Sequence, residues 1–167
     1  LRHQLARLLA RYGHEIYFCE RPRHSPIGAA GRAIEGNPDD GVQLYRYYEP
    51  VHHQLKVGPV LYHANNVVVR RSLSRLADSI RPDVVFNFNH DYAFARSSFP
   101  DARFVTVVND DFEGMARPWI RRATTKRLAK TCSVSDKVYA VSEALVERLS
   151  QWSDDVELLL PWAPEYT

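Results

Sequence analysis

Residues 135–164 hold the sequence feature that constrains the fold most, because two strand patterns there flank a short helix pattern. An apolar run at 137–141 is followed by Ser142, a residue type that accepts hydrogen bonds from the free amides of a first helical turn. A helix is predicted at 143–150, and a second strand at 156–160 ends at a proline pair. A strand, a helix and a strand in so few residues form a βαβ unit, which predicts a parallel sheet.

Strand and helix patterns alternate along most of the remaining chain. Strands are predicted at 15–19, 42–48, 84–88 and 103–108, and helices over the first 12 residues, from Pro59 to Ile80 and at 118–131. The segment 21–41 holds four of the seven glycines and shows no periodicity, so it is predicted to be a long surface loop. The 167 residues suit one domain. The fold class expected is α/β, a Rossmann-like doubly wound parallel sheet flanked by helices.

Composition and missing motifs exclude several classes of function. The apolar fraction of 45% is that of a folded globular protein, and a net charge of +2 is too small to imply a nucleic-acid partner. The cysteines, Cys19 and Cys132, have no metal-ligand spacing and are expected to be free thiols in a reducing compartment. No apolar run reaches the roughly 20 residues that cross a bilayer. The glycine-rich motifs of dinucleotide-binding enzymes and P-loop NTPases do not occur.

The first candidate site follows the predicted strand at 84–88. Asn89, His90 and Asp91 come directly after it, and open α/β sheets bind ligands beyond the carboxyl ends of their strands. The His90 imidazole can hydrogen-bond a sugar hydroxyl or a phosphate. The alternative interpretation is that this histidine only caps a turn.

The second candidate site follows the predicted strand at 103–108. Asn109 is succeeded by three carboxylates, Asp110, Asp111 and Glu113. Such crowding tends to raise the pKa of at least one carboxyl group and suits proton transfer or the binding of sugar hydroxyls. The alternative is that these acids cap the following helix, where negative charge is favourable.

Two basic segments suggest further contacts. Arg21, Arg23 and His24 could bind an anionic acceptor or a lipid headgroup, although ordinary solvated residues are as good an interpretation. The helix at 118–131 carries many arginines and lysines. On a helical wheel they do not gather on one face, so we interpret it as a solvated helix with a partly buried stripe and treat membrane contact as the lesser alternative.

The run from Asp136 to Ser142 and the order of elements resemble the N-terminal domain of family 4-like GT-B glycosyltransferases. His90 and Asp91 match the histidine-aspartate pair that the family carries after a strand, whereas Asn109 stands where many members have a second histidine. The resemblance implies structural roles for Asp136 and Ser142. It also implies a first strand before the first helix that this sequence does not contain. Residues 1–160 would form the N-terminal domain, and 161–167 would begin the linker to an absent donor-binding domain.

The resemblance implies transfer of a sugar, of the hexosyl type and with retention, from a nucleotide-sugar donor to a glycan, lipid-linked or small-molecule acceptor in cell-envelope polysaccharide biosynthesis. No cofactor or metal is expected, the location is cytoplasmic with peripheral membrane contact left open, and this domain alone should be inactive. A non-catalytic α/β ligand-binding or regulatory module is the alternative function. The candidate catalytic residues are His90, Asp110 and Asp111, and the candidate substrate-binding residues are Arg21, His24, Asn89, Asp91, Asn109 and Glu113.

Overall fold

The computed structural model describes residues 2–20, 23–24, 34–37, 41–51 and 58–159. The chain divides into two compact units, Leu1–Arg75 and Leu76–Thr167. The predicted linker at 161–167, which includes the proline pair, lies outside the described residues.

The first unit begins with helix α1, Arg2–Arg11, and continues with five short strands. The strands are β1 Ile16–Cys19, β2 Arg23–His24, β3 Ile34–Asn37, β4 Val42–Tyr45 and β5 Tyr48–Glu49. Gly13 follows α1 with a φ of 87°, a left-handed conformation that glycine adopts without steric cost. The predicted helix, its glycine end and the strand after it are confirmed.

Two of these strands correct the prediction of a loop throughout 21–41. β3 pairs antiparallel with β4, and β2 pairs parallel with β5. β1 lies parallel to β4 on its other side, so the sheet order is β1-β4-β3. The prediction was wrong here because such short strands are specified by backbone hydrogen bonds to a partner, which leave no periodic signal in the side chains.

Helix α2, Pro59–Ile80, contributes residues to both units. Val69, Leu73 and Leu76 are buried, as their helical spacing predicts, and Pro59 occupies the first position of the helix. The helix ends at Ile80, and the positive φ of Arg81, 44°, stops the helical path before the next strand begins at Val84.

The second unit contains a four-stranded parallel sheet in the order β6-β7-β8-β9, flanked by helices. Its strands are β6 Val84–Asn87, β7 Arg103–Val108, β8 Lys137–Ala140 and β9 Val156–Leu158. Its helices are a 3₁₀ helix at Ala93–Ser98, α3 Phe112–Met115, α4 Pro118–Ser133 and α5 Glu143–Leu149. The predicted parallel α/β architecture is confirmed.

The core of this unit lies between α4, α5 and the sheet. It consists of the buried residues Val108, Leu128, Cys132, Val138, Ala140, Leu145 and Leu149. Burial raises the pKa of the Cys132 thiol to about 12, and neither cysteine forms a disulfide. Because both helices are fixed against the strands by these side chains, the turns at the strand ends start from a rigid base.

Two polar residues fix the junctions of β8, as expected. The Asp136 amide donates to the Phe104 carbonyl at 2.8 Å, and its carboxylate accepts from the Phe104 amide at 2.7 Å. Ser142 is the N-cap of α5, where its hydroxyl accepts from the Leu145 amide at 3.3 Å. The predicted structural roles of Asp136 and Ser142 are confirmed.

Candidate functional site

A buried amide holds the turn that follows β6. Asn87 is the last residue of the strand and is 6% exposed. Its amide nitrogen donates to the Asn89 carbonyl at 3.0 Å, and its amide oxygen accepts from the Asn89 backbone amide at 3.0 Å. The same nitrogen donates to the Thr106 hydroxyl at 3.2 Å. Because a buried polar side chain needs partners, these bonds stabilise one geometry of the turn.

The turn is held from its other end by α4. The hydroxyl of Thr131, a fully buried residue, lies 2.9 Å from the carbonyl oxygens of both His90 and Arg127 and can donate to either. The Ser135 hydroxyl lies 2.7 Å from that of Thr106 and donates to the Thr131 carbonyl at 2.8 Å. A chain of hydrogen bonds therefore runs from Asn87 through β7 and α4 to the backbone of His90.

The side chain of His90 joins the two strand ends. Its ring stacks on that of Phe112, the first residue of α3, with centroids 4.4 Å apart and planes 27° from parallel. Burial lowers the pKa of His90, the nearby Asp91 carboxylate opposes that shift, and the Arg127 guanidinium adds to it. At neutral pH the imidazole is therefore uncharged, so one ring nitrogen can accept a hydrogen bond and the other can donate one.

Asp111 is engaged by its own helix and by a distant arginine. Its Oδ1 accepts from the Gly114 amide at 3.0 Å as the N-cap of α3, and from Arg148 Nη1 at 2.6 Å. The hydrogen bond from Gly114 holds the pKa of Asp111 below its usual range, and the one from Arg148 lowers it further. At Asp111 the pKa shift is thus the reverse of the rise expected from crowding, because the hydrogen bonds and the Arg148 charge outweigh the effect of burial.

The neighbouring acids have different environments. Glu113 accepts a short hydrogen bond from the Thr125 hydroxyl, and its Oε2 lies 3.7 Å from Arg148 Nη1. Asp110 is exposed, and its carboxylate has no hydrogen bond or ion pair with any residue that the structure describes. Asn109, at the end of β7, is half-buried. Asp110 therefore presents the carboxylate that is most available to a ligand at this strand end.

The predicted site residues are brought together only in part. His90 reaches α3 through Phe112, and Asp111 and Glu113 share Arg148. Asn89 is held through its backbone by Asn87, and Asp91 remains half-buried beside His90. Arg21 and the His24 side chain lie outside the described residues.

Sequence reasoning missed the residues that support the site. Arg148 carried no signal, because helical periodicity cannot show which distant loop an arginine of α5 reaches. Asn87 and Thr131 carried a usable signal, since each is a polar residue at a position where the pattern predicts burial.

Helix α4 is solvated on one side and buried along a stripe on the other, as predicted. Trp119, Arg122, Lys126 and Lys130 are separated by three, four and four residues and are all exposed, opposite the buried Thr124, Leu128 and Thr131. We call these four residues the α4 stripe. Trp119 is 70% exposed, its ring lies 5.3 Å from the Arg117 guanidinium, and Met115 nearby in the chain is 74% exposed. Arg121 and Arg127 lie outside this arc, so the basic residues of α4 as a whole are not confined to one face.

The described residues contain neither a candidate metal site nor a helix that could cross a membrane. No group of three or more His, Cys, Asp or Glu side chains in those residues could hold a metal ion. None of the described helices combines the length and the apolar character that crossing a membrane requires.

The model of the family described as Glycosyltransferase Family 4 matches residues 3–158. A search of curated proteins found no match to the chain.

Proposed function

The chain belongs to Glycosyltransferase Family 4, and we propose on that premise that it is the acceptor-binding domain of an enzyme that transfers a hexosyl group from a nucleotide-sugar donor. The acceptor would be a glycan, a lipid-linked sugar or a small molecule of cell-envelope polysaccharide synthesis. We propose that transfer proceeds with retention of configuration. The donor would bind to a second domain beyond residue 160, so this domain alone would not turn over substrate.

The observation that carries the proposal is the convergence of two strand ends in the second unit. The stacked pair His90–Phe112 brings the turn after β6 to the start of α3, directly after the Asn109–Asp110 segment. Ligands of open α/β sheets bind at this edge. An uncharged imidazole and an unpaired carboxylate are groups that can orient sugar hydroxyls and move a proton.

We assign roles to the individual residues of this cluster. His90 would bind an acceptor or donor hydroxyl through a ring nitrogen, and Asp110 would accept a proton or a hydrogen bond from the acceptor. Asp111, which is bound by Gly114 and Arg148, would shape the turn instead of reacting. Asn89, Asp91, Asn109 and Glu113 would complete the acceptor contacts, with Arg21 and His24 at greater distance.

The experiment that tests this proposal is binding of UDP-, GDP- and ADP-sugars to the complete protein, with residues 1–167 measured alongside. Binding of one donor by the complete protein alone supports the assignment and identifies the nucleotide. If the complete protein binds none of them, the glycosyltransferase reaction proposed here is rejected, and a non-catalytic α/β ligand-binding module becomes the better account.

We also propose that the domain works in the cytoplasm and contacts the inner face of the membrane through the α4 stripe. Helix α4 contains five arginines and lysines and no acidic residue, and the exposed Trp119 and Met115 lie at its N-terminal end. Basic side chains attract anionic lipids, and tryptophan is favoured at the membrane interface.

Sedimentation with vesicles tests the membrane contact. The double variant Lys126→Glu/Lys130→Glu should lose binding to vesicles that contain phosphatidylglycerol. The matched control Arg71→Glu/Arg75→Glu, which changes two exposed residues of α2 by the same charge, should keep it. Equal binding of the two variants to the vesicles, or no preference for anionic over zwitterionic vesicles, would rule out the α4 stripe as the membrane-binding surface.

A further inference from the structure

We infer that Arg148 is a positioning residue of this glycosyltransferase, which fixes the turn after β7 so that the Asp110 carboxylate stays free and faces outward. The inference rests on the proposed function, because Asp110 matters only if the strand-end cluster binds substrate. Arg148 itself would touch neither sugar.

Arg148 comes from an element with a fixed position. It lies in α5, between Leu145 and Leu149, whose side chains are buried in the core. The helix is also capped at its start by Ser142. The guanidinium therefore projects from a rigid base toward a turn 37 positions earlier in the sequence.

The turn that Arg148 contacts has little order of its own. Helix α3 has only four residues, Phe112–Met115, and an isolated helix of that length is unstable in water. Its conformation must therefore depend on side-chain contacts. Arg148 Nη1 supplies two of them, at 2.6 Å from Asp111 Oδ1 and 3.7 Å from Glu113 Oε2.

The contacts divide the three acids by role. Asp111 is bound by Gly114 and Arg148, and Glu113 by Thr125 and Arg148. Asp110 alone keeps a carboxylate without a partner among the described residues. Without Arg148, the like charges of Asp111 and Glu113 would repel each other, and the turn could present a different acid to the substrate.

The alternative is an ion pair with no effect on function. Both side chains are partly exposed, 37% for Arg148 and 45% for Asp111, and exposed ion pairs contribute little to global stability. Loss of Arg148 should therefore leave the fold intact. If the substitution changes only the conformation of the turn after β7 and the catalytic rate, Arg148 positions the turn and does not support the fold in general.

The experiment uses the complete protein with Arg148→Gln, Arg148→Lys and the control Arg75→Gln, an exposed arginine of α2. We expect Arg148→Gln to lower kcat about tenfold while the donor KM changes less than about twofold. The reason is that loss of Arg148 misplaces the Asp110 carboxylate but leaves the donor-binding site unchanged. Arg148→Lys should recover part of the loss, and Arg75→Gln should match the wild type. The pair Asp111→Asn/Arg148→Gln should be no worse than Arg148→Gln alone, since both act through one contact.

Amide hydrogen exchange of the Gly114 and Met115 amides provides a readout that needs no substrate. Faster exchange at these two positions in Arg148→Gln supports the inference, and exchange and kcat equal to those of the wild type overturn it. If the wild-type protein transfers no sugar, the proposed function fails by that result. The exchange measurement still decides whether Arg148 orders the turn.

Discussion

The ring of His90, in the turn after β6, stacks on the ring of Phe112, in the first turn of α3, with centroids 4.4 Å apart. This contact joins two loops that belong to neighbouring strands and buries much of the imidazole. It thereby couples the charge of the histidine to the folding of both loops.

The first prediction concerns the pH dependence of stability. Burial lowers the pKa of His90 below its ordinary value of 6.5, so the unfolded chain binds the proton more tightly than the folded one. Neutral His90 therefore makes its full contribution to the free energy of unfolding above pH 6.5. That contribution is lost as the pH falls toward the pKa of His90 in the folded protein. Imidazole titration by NMR should give a value below 6.5, and His90→Asn should flatten the acid side of the unfolding curve. A titration at or above the ordinary value would contradict this.

The second prediction concerns Gly114, which has no room for a side chain. A Cβ at this position would clash with Asp111 Oδ2. Gly114→Ala should push the carboxylate away from the cap and from Arg148, at a cost of about 1 kcal/mol in the free energy of unfolding measured with urea. Gly58→Ala is the matched control, because a Cβ there meets no atom within 4 Å. Equal stability of the two variants would show that the cap is not maintained in solution.

The third prediction concerns the buried hydroxyl of Thr131. Thr131→Val keeps the shape of the side chain but leaves the His90 carbonyl without its donor, so we expect a loss of about 1–2 kcal/mol and a shift of the His90 NMR signals. Thr124, buried on the same helix with no side-chain hydrogen bond to another described residue, is the control. If Thr124→Val costs as much and moves the same signals, the bond to His90 has no special role.

The fourth prediction separates the two adjacent aspartates. Asp110→Asn should lower transfer by the complete protein about 100-fold without changing the unfolding midpoint, because a free carboxylate supports catalysis and not the fold. Asp111→Asn should weaken α3 as well, since it removes a charged cap. The exposed Asp154→Asn should change neither property. Full activity of Asp110→Asn would exclude this residue from the reaction.

The fifth prediction concerns metal dependence. We propose that transfer needs no metal ion, so the rate should persist when the complete protein is assayed in excess EDTA. Adding Mg²⁺ or Mn²⁺ afterwards should give no increase. Inactivation by EDTA with recovery on addition of one of these ions would contradict the proposal.

The elements with strong periodicity could be predicted from the sequence, but some of the shortest ones could not. The helical spacing of Val69, Leu73 and Leu76 predicted α2 and its buried face correctly. The strand β3 was missed because its pairing with β4 decides its conformation, and α3 was too short to leave a pattern. The conformation of β3 depends on a partner strand, and that of α3 depends on a few side-chain contacts.

The candidate site, too, could be predicted from the sequence only in part. The strand-end clusters at His90 and at Asp110 could be located, because a parallel sheet places its loops in a known order. The distinction between a free Asp110 and a bound Asp111 could not be made, since it depends on Arg148 in another helix. Tertiary contacts, and not local composition, assign the roles of adjacent identical residues.

The hydrogen bonds that hold the turn after β6 determine which of its positions can be substituted. Asn87 binds the backbone of Asn89, and Thr131 binds the backbone carbonyl of His90, so the described bonds that hold this turn are made to main-chain atoms. Every residue type except proline has those atoms. The side chain at position 89 is therefore open to exchange, by natural variation or in a mutant library, while the path of the loop is kept. New acceptor preferences should be easier to select at this position than at Asn87 or Thr131, where each change would alter the loop itself.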